Sequence, residues 1–191
     1  MKFDMSLYSP QELTMRWQTA FTRGFTMTLP PVAVCGVINL VLRGLPDLSD
    51  AETLLSQLPF VLFVMFACVC VAAIVPLFGF AIVCKSGFKA IRRASDSKFQ
   101  YQFFRCGEIL PVSRYRIVTL TPFIFGGVIP FASSLFLGNF LLIVASSFLL
   151  LCLSPNAYIY GAFAKFPKGS YFEDSPTMLG GIIYTPITKE K

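Results

Sequence analysis

Residues 59–84 read PFVLFVMFACVCVAAIVPLFGFAIVC, a stretch of 26 residues without a charged side chain. An α-helix needs about 20 apolar residues to cross the hydrocarbon core of a bilayer. This stretch is therefore long enough to span a membrane with some tilt. It predicts an integral membrane protein.

The composition also indicates a membrane protein. Of the 191 residues, 55% are hydrophobic and only 14% are charged, whereas about 25% are charged in soluble proteins. The net charge is +6, but the basic residues lie between and beside the apolar segments. We therefore interpret them as determinants of membrane topology and expect no nucleic-acid partner. A polar start precedes the first apolar segment, so we expect no cleavable signal peptide.

Further apolar segments complete the predicted bundle. Residues 117–163 contain no charge and are too numerous for one crossing, and Gly138-Asn139 is the best turn within them. The sequence predicts an all-α membrane fold, a polytopic bundle of about four transmembrane helices. The membrane domain covers residues 26–165, with spans at about 26–42, 59–84, 117–136 and 139–163.

The distribution of Lys and Arg predicts the orientation. The N-terminal segment contains three, the first loop one, the loop at 85–116 eight, and the tail at 166–191 four when the adjoining Lys165 is counted with it. Basic residues are enriched on the cytoplasmic side of a membrane. We therefore expect a multi-pass protein of the cell's inner, cytoplasmic membrane, with both termini and the basic loop in the cytoplasm.

The N-terminal segment, residues 1–25, carries a helix-start signature. Ser9 is a good N-cap, Pro10 suits the first helical position, and Glu12 completes a capping box. Trp17 and Phe21 then follow at helical spacing. This pattern predicts an amphipathic cytoplasmic helix lying at the membrane interface.

A small β element is predicted in the basic loop. Phe99, Tyr101 and Phe103 alternate with polar residues, as in a half-buried strand. Its edge could accept an extended peptide. The alternative is that it pairs with a second candidate strand at 182–185.

Little catalytic chemistry is available in this sequence. There is no His, which removes the usual general base and metal ligand. The predicted spans contain no ionisable Asp, Glu, Lys or Arg, which disfavours pumps and ion-coupled transporters. The six cysteines fit no disulfide framework and are expected to be free buried thiols. Asn156 is expected to satisfy backbone groups freed by Pro155.

Two segments resemble a known family. Residues 106–122 read CGEILPVSRYRIVTLTP and residues 172–180 read FEDSPTMLG. Their order and spacing resemble those of small bacterial integral-membrane proteins classed as a zincin peptidase family, a domain-of-unknown-function family. The resemblance covers residues 75–186.

The resemblance implies a metal site that this chain has lost. In the family, a His-Glu-x-x-His turn supplies two metal ligands and a base, and an Asp supplies a third ligand. The corresponding positions here are Phe80, Ala81, Cys84 and Asn156. We therefore expect a zincin-like pseudo-peptidase without the His-Glu-x-x-His motif, without zinc and without another cofactor.

Three hypotheses of function follow. The first is a catalytically inactive scaffold in the lipid bilayer that binds a membrane-protein or extended-peptide partner, with Phe99, Tyr101 and Phe103 as contact residues. The second is a small membrane enzyme, either a metallopeptidase relative or one using Cys84 or Cys106 as a thiol nucleophile. The third is a channel-like or structural protein built on the irregularities at Gly126-Gly127 and Pro130.

Overall fold

The computed structural model describes residues 7–44, 51–95, 102–175 and 180–187. Within these residues, four helices are long and apolar enough to cross a membrane. They confirm the predicted number of spans and lie at Trp17–Arg43, Leu55–Val83, Val112–Leu137 and Phe140–Phe163. The first begins nine residues before its predicted start at residue 26, and the ends of the others lie within about five residues of the predicted ones. The chain is a multi-pass membrane protein.

The described residues form five α-helices and six short strands. The helices are α1 (Trp17–Arg43), α2 (Ala51–Val83), α3 (Val112–Phe123), α4 (Ile129–Leu137) and α5 (Phe140–Phe163). A π-helical turn, Ile124–Val128, joins α3 to α4, and a 3-10 turn, Gly87–Ala90, follows α2. The strands are β1 (Tyr8–Thr14), β2 (Ile91–Ser95), β3 (Gln102–Cys106), β4 (Leu110–Pro111), β5 (Tyr171–Asp174) and β6 (Gly180–Pro186).

The helices expose many large apolar side chains, which would form an unfavourable continuous apolar surface in water. Only 6% of the most apolar window in Leu55–Val83 is buried by the protein itself. Phe136 is 85% exposed, and Phe66 and Val41 are also exposed. Exposed apolar surface of this extent marks contact with a membrane or a partner. Lipid therefore covers these faces.

One antiparallel sheet joins three distant parts of the chain. Its strand order is β1-β6-β5-β4. β1 precedes the first span, β4 lies between the second and third spans, and β5 and β6 follow the fourth. Strands of one sheet lie on one side of a bilayer, so the N-terminal strand, the basic loop and the tail share a side. The predicted threading of four crossings agrees with this arrangement.

The predicted N-terminal amphipathic helix is wrong over residues 8–14. These residues form β1, paired with β6 in the register Ser9↔Thr185 and Gln11↔Ile183, and α1 begins only at Trp17. Ile187 N donates a hydrogen bond to Leu7 O, 3.0 Å. In an antiparallel pair, every second residue directs its backbone N–H and C=O groups toward the partner strand. Counting from Leu7, Ser9 faces β6 in this way and Pro10 does not. Pro10 therefore directs its nitrogen away from β6 and costs no ladder bond, as Pro does on edge strands. Pairing with β6 outweighs the local capping signals.

Of the expected strand with Phe99, Tyr101 and Phe103, the described part begins at Gln102, in β3, and residues 99–101 fall outside the described residues. β3 pairs antiparallel with β2, so that Phe103 lies opposite Ala94 and Arg105 opposite Arg92. The expected pairing with residues 182–185 is wrong, because that segment belongs to β6 and lies between β1 and β5. Hairpin pairing is favoured because β2 and β3 are close in sequence, so the entropy lost on closing their loop is small.

Contacts divide the chain into two compact units. The sheet unit comprises Met1–Ala20, Pro76–Thr119 and Ile159–Lys191, and the helical unit comprises Phe21–Val75 and Leu120–Tyr158. The core of the helical unit contains Val32, Phe131, Ile143 and Leu150.

Glycines allow close packing in the helical unit. A Cβ at Gly126 would lie 2.7 Å from the Cβ of Ala72, and one at Gly127 would lie 2.8 Å from Leu150 Cδ1. Small residues let helices approach in lipid, where association depends on packing and hydrogen bonds. Gly126 and Gly127, in the π-helical turn, thus lie where this segment packs closely against neighbouring helices.

The Gly138-Asn139 turn is confirmed. Gly138 adopts a left-handed conformation with φ of 68°. Asn139 Oδ1 accepts a hydrogen bond from Leu142 N, 3.1 Å, and caps the start of α5. The Arg43 guanidinium donates to the carbonyl of Phe136, 2.9 Å, at the end of α4. This end of the hairpin is therefore held by polar contacts to exposed backbone carbonyls.

Candidate functional site

The turn that corresponds to the family's metal-binding motif lies at the end of α2. Phe80 and Cys84 are buried there, and Ala81 is half-buried. The core cluster of the sheet unit consists of Phe80, Cys84, Ala90, Cys106, Leu110 and Val118. Residues one helical turn apart share a face, so Phe80 and Cys84 both enter this core. The structure thus brings two of the four predicted site positions together.

Aromatic rings fill the surroundings of this turn. The ring of Tyr115 lies 5.6 Å from that of Phe80, 5.1 Å from Phe163 and 4.5 Å from Phe172. Phe163 and Phe172 are each only 1% exposed, with ring centroids 4.8 Å apart. Edge-to-face and tilted pairs at these separations are favourable packing arrangements. The space beside Phe80 is therefore a packed core.

Cys84 and Cys106 are joined as a disulfide, which the sequence did not predict. Their Cα atoms are 7.2 Å apart and 22 residues separate them along the chain. The expectation of free thiols is wrong for this pair and confirmed for Cys35, Cys68, Cys70 and Cys152. The spacing carried no disulfide signature because the two residues meet only through the tertiary fold.

Asp174 is the functional candidate that the sequence analysis missed. Its side chain is 6% exposed, and its Oδ2 accepts a hydrogen bond from the Tyr115 hydroxyl, 3.2 Å. The backbone N–H of Cys106 also donates to this carboxyl. Burial raises the pKa of Asp174 to about 7, although these hydrogen bonds and the charge of Arg105 act in the opposite direction. A buried carboxyl that titrates near neutrality is typical of functional sites, and structural networks produce it too.

A signal for Asp174 was present in the sequence. In β5, Phe172 and Asp174 are buried while Glu173 between them is exposed. Strand alternation therefore places the carboxyl of Asp174 on the same face as Phe172. Recognising β5 as a strand would have identified Asp174 as a buried acid.

Glu108 holds the chain segment that follows α2. Its carboxylate accepts hydrogen bonds from the backbone N–H of Lys85, 2.8 Å, and of Ser86, 3.0 Å. A side-chain hydrogen bond from Ser86, followed by these backbone contacts and the charge of Lys85, lowers the pKa of Glu108. The junction between α2 and β2 is thus held by two ties, the Glu108 carboxylate and the Cys84–Cys106 bond.

Asn156 uses its amide within its own helix. The residue belongs to the helical unit, and its Nδ2 donates to the carbonyl of Leu153, 3.1 Å. Pro155 lacks the N–H that would bond the carbonyl of Leu151, and Ser154 Oγ donates to that carbonyl instead, 2.6 Å. Ser154 therefore has the role that the sequence analysis assigned to Asn156. The interpretation of Asn156 as a former metal-site position stays a prediction.

One of the three expected partner-binding residues lies among the described residues, in the hairpin formed by β2 and β3. Phe99 and Tyr101 fall outside the described residues, and Phe103 is in β3. The neighbouring Phe104 is 42% exposed. Arg92 and Arg105 lie directly opposite each other, and like charges in this position destabilise a strand pair unless a counter-charge is nearby.

The residues at this turn do not fit a hydrolytic zinc ion. Zinc in such sites is bound by His, Cys or carboxylate ligands and keeps one position open for water. Phe80 packs on Tyr115, Cys84 is bonded to Cys106, and the Asp174 carboxyl is held by Tyr115. Among the residues that the structure describes, no group of three or more His, Cys, Asp or Glu side chains could hold a metal.

Comparisons with protein-family models, with curated proteins and with solved structures find no match to this chain.

Proposed function

We propose that this chain is a catalytically inactive, zincin-like membrane protein that acts as a binding scaffold for an extended-peptide or membrane-protein partner. The observation that supports inactivity is the packing of Phe80 against Tyr115, beside the Cys84–Cys106 bond. A metallopeptidase needs an open, polar metal position at this turn. Aromatic packing there supports a structural role for the turn.

The β2–β3 hairpin is the proposed contact region. Its segment, residues 89–106, carries five Lys or Arg residues and one Asp. A strand ribbon of this kind can bind an extended peptide through main-chain hydrogen bonds, with side chains adding specificity. The half-exposed ring of Phe104 offers apolar contact on one face of the ribbon, and strand alternation places Arg92 and Arg105 on the other face. Phe99, Tyr101 and Phe103 are the further contact residues of this proposal.

The proposal places the hairpin in the cytoplasm of a bacterial cell, at the inner membrane. Support comes from the concentration of Lys and Arg in the central loop and its neighbours in the sheet. A partner would then be a cytoplasmic peptide segment or another protein of the same membrane.

Site-specific photocrosslinking in native membranes tests the binding proposal. A photoreactive phenylalanine analogue at Phe104 is expected to give discrete crosslinked products with a partner. The matched control carries the analogue at Lys168, which is exposed and also belongs to the sheet unit. Discrete products at Phe104 and none at Lys168 would support the proposal, whereas no products, or the same products from both positions, would contradict it.

A further inference from the structure

The Cys84–Cys106 bond closes a loop that contains the whole β2–β3 hairpin. Cys84 is the first residue beyond α2, and Cys106 is the last residue of β3. Both side chains are buried, at 5% and 2% exposure. The bond therefore attaches the end of the hairpin to the end of a membrane-spanning helix.

The basic residues around this bond favour a compartment in which disulfides are rarely stable. The loop at 85–116 contains eight Lys or Arg residues, which favours the cytoplasmic side. Thiols in that compartment are kept reduced, and disulfides there are usually transient, serving catalysis or redox sensing. A permanent structural disulfide and the cytoplasmic placement are thus hard to reconcile, while a reversible bond agrees with both.

Two contacts that do not involve sulfur keep the cysteines close when the bond is open. The Glu108 carboxylate holds the N–H groups of Lys85 and Ser86, immediately after Cys84. The Asp174 carboxyl accepts a hydrogen bond from the N–H of Cys106. Because these contacts fix the backbone beside both cysteines, the two thiols remain adjacent and the bond can form again.

We propose that Cys84 and Cys106 are a reversible oxidation site that fastens the β2–β3 hairpin to the end of α2. A peroxide is the oxidant, since it is small enough to reach buried thiols. One thiolate attacks an oxygen atom of hydrogen peroxide, the O–O bond breaks, and the thiolate becomes a sulfenic acid. The hydroxide that leaves takes up the proton that the thiol had lost and becomes water. The second thiol then displaces a second water and forms the S–S bond. A dithiol reverses the step by thiol–disulfide exchange and is itself oxidised to a disulfide.

This site rests on the cytoplasmic placement proposed above but not on the binding role, and its test needs no partner. The full chain in native membranes is trapped with acid, denatured and labelled with a maleimide-PEG reagent. Of the six cysteines, all should react in resting cells, and the four free ones should react after peroxide treatment. Dithiothreitol should then restore all six. A Cys68→Ser variant, altered at a free cysteine, is expected to keep the two-thiol change.

Two results of this labelling would overturn the proposal. A chain that resists labelling at two cysteines in resting cells holds a permanent disulfide. A chain that labels at six cysteines after peroxide does not oxidise at this pair. The wild-type chain alone decides between these results, so the outcome does not depend on whether a Cys84→Ser variant folds.

Trypsin cleavage measures whether the bond fastens the hairpin. Cleavage after Arg92 and Arg105 should be several-fold faster in the reduced chain than in the oxidised chain. The Cys106→Ser variant should be cleaved at the fast rate with or without peroxide. Cleavage after Lys168, outside the closed loop, is the control and should not change. Equal rates at Arg92 and Arg105 in both redox states would overturn the fastening role.

Discussion

The sheet unit and the helical unit are stabilised by different kinds of contact. In the sheet unit, carboxylates bind backbone N–H groups, aromatic rings pack around Tyr115, and Cys84 is bonded to Cys106. In the helical unit, glycines bring helices together, and the hydroxyls of Ser134 and Ser146 lie 2.8 Å apart. The difference follows from the solvent, because lipid offers helices no hydrophobic gain on association and leaves packing and hydrogen bonds to stabilise them.

The largest expected effect in the sheet unit is a dependence of stability on pH. Asp174 has a folded-state pKa of about 7, above its ordinary value of 3.8. The folded state therefore binds the proton more tightly, and stability should fall as the pH rises from about 4 to 7. At about 1.4 kcal/mol per pKa unit, the loss is at most about 4 kcal/mol.

Asp174→Asn tests this pH dependence. The variant should lose this fall in the unfolding free energy over that range, as measured by urea unfolding in mild detergent. Glu173→Gln, which alters the exposed neighbour, should keep the wild-type slope. A wild-type slope in Asp174→Asn would show that another group is responsible.

In the helical unit, Gly24 should be the most sensitive glycine. A Cβ there would lie 2.5 Å from the Ser154 carbonyl oxygen and 2.8 Å from Pro155 N, which are backbone atoms that cannot rotate away. Gly24→Ala is expected to destabilise the fold by about 1–3 kcal/mol through overpacking. Gly36→Ala is the matched control, since nothing lies within 4 Å of its added Cβ. Equal thermal unfolding midpoints for the two variants would contradict this close contact.

The serine pair should have a smaller effect. One of the two hydroxyls, Ser134 or Ser146, donates its single proton to the other, and a carbonyl of the donor's own helix competes for that proton. A double-mutant cycle with alanine is expected to give a coupling of about 0.6 kcal/mol, as for other hydrogen bonds between membrane helices. Among the residues that the structure describes, Ser147 Oγ donates to the carbonyl of Ile143 in its own helix, 2.6 Å, so Ser147→Ala should show no coupling to Ser134. Coupling of equal size at both positions would contradict the assigned contact.

The smallest expected effect on global stability is that of Glu108→Gln. The amide can accept only one of the two hydrogen bonds, and water can replace the other at this exposed position, so the loss should be about 0.5 kcal/mol. The sharper measurement is amide hydrogen exchange, which should accelerate at Lys85 and Ser86 and stay unchanged within β6. Unchanged exchange at both amides would show that Glu108 does not hold this junction.

The sequence predicted the spans well because their signal is local. Runs such as residues 59–84 are apolar over the full thickness of a bilayer, and no tertiary contact is needed to recognise them. The Gly138-Asn139 turn was predicted for the same reason, since its backbone requirement lies within the turn itself.

The candidate site was only partly predictable because it depends on contacts between distant residues. Phe80 and Cys84 were placed correctly at a helix end, but their partners Tyr115, Cys106 and Asp174 come from other elements. The N-terminal strand was missed because Ser9-Pro10 fits a helix start when local sequence alone is considered. The segment is a strand because it pairs with β6, which is distant in sequence.

Zinc content tests the central claim, that the turn at Phe80–Cys84 is a packed and cross-linked core. The full chain is purified in detergent from cells grown with added zinc, and its metal is measured by atomic spectrometry. The account predicts zinc at the same trace level in the wild type and in the Cys84→Ser and Asp174→Asn variants. One zinc ion per wild-type chain, lost in both variants while they remain folded, would contradict it.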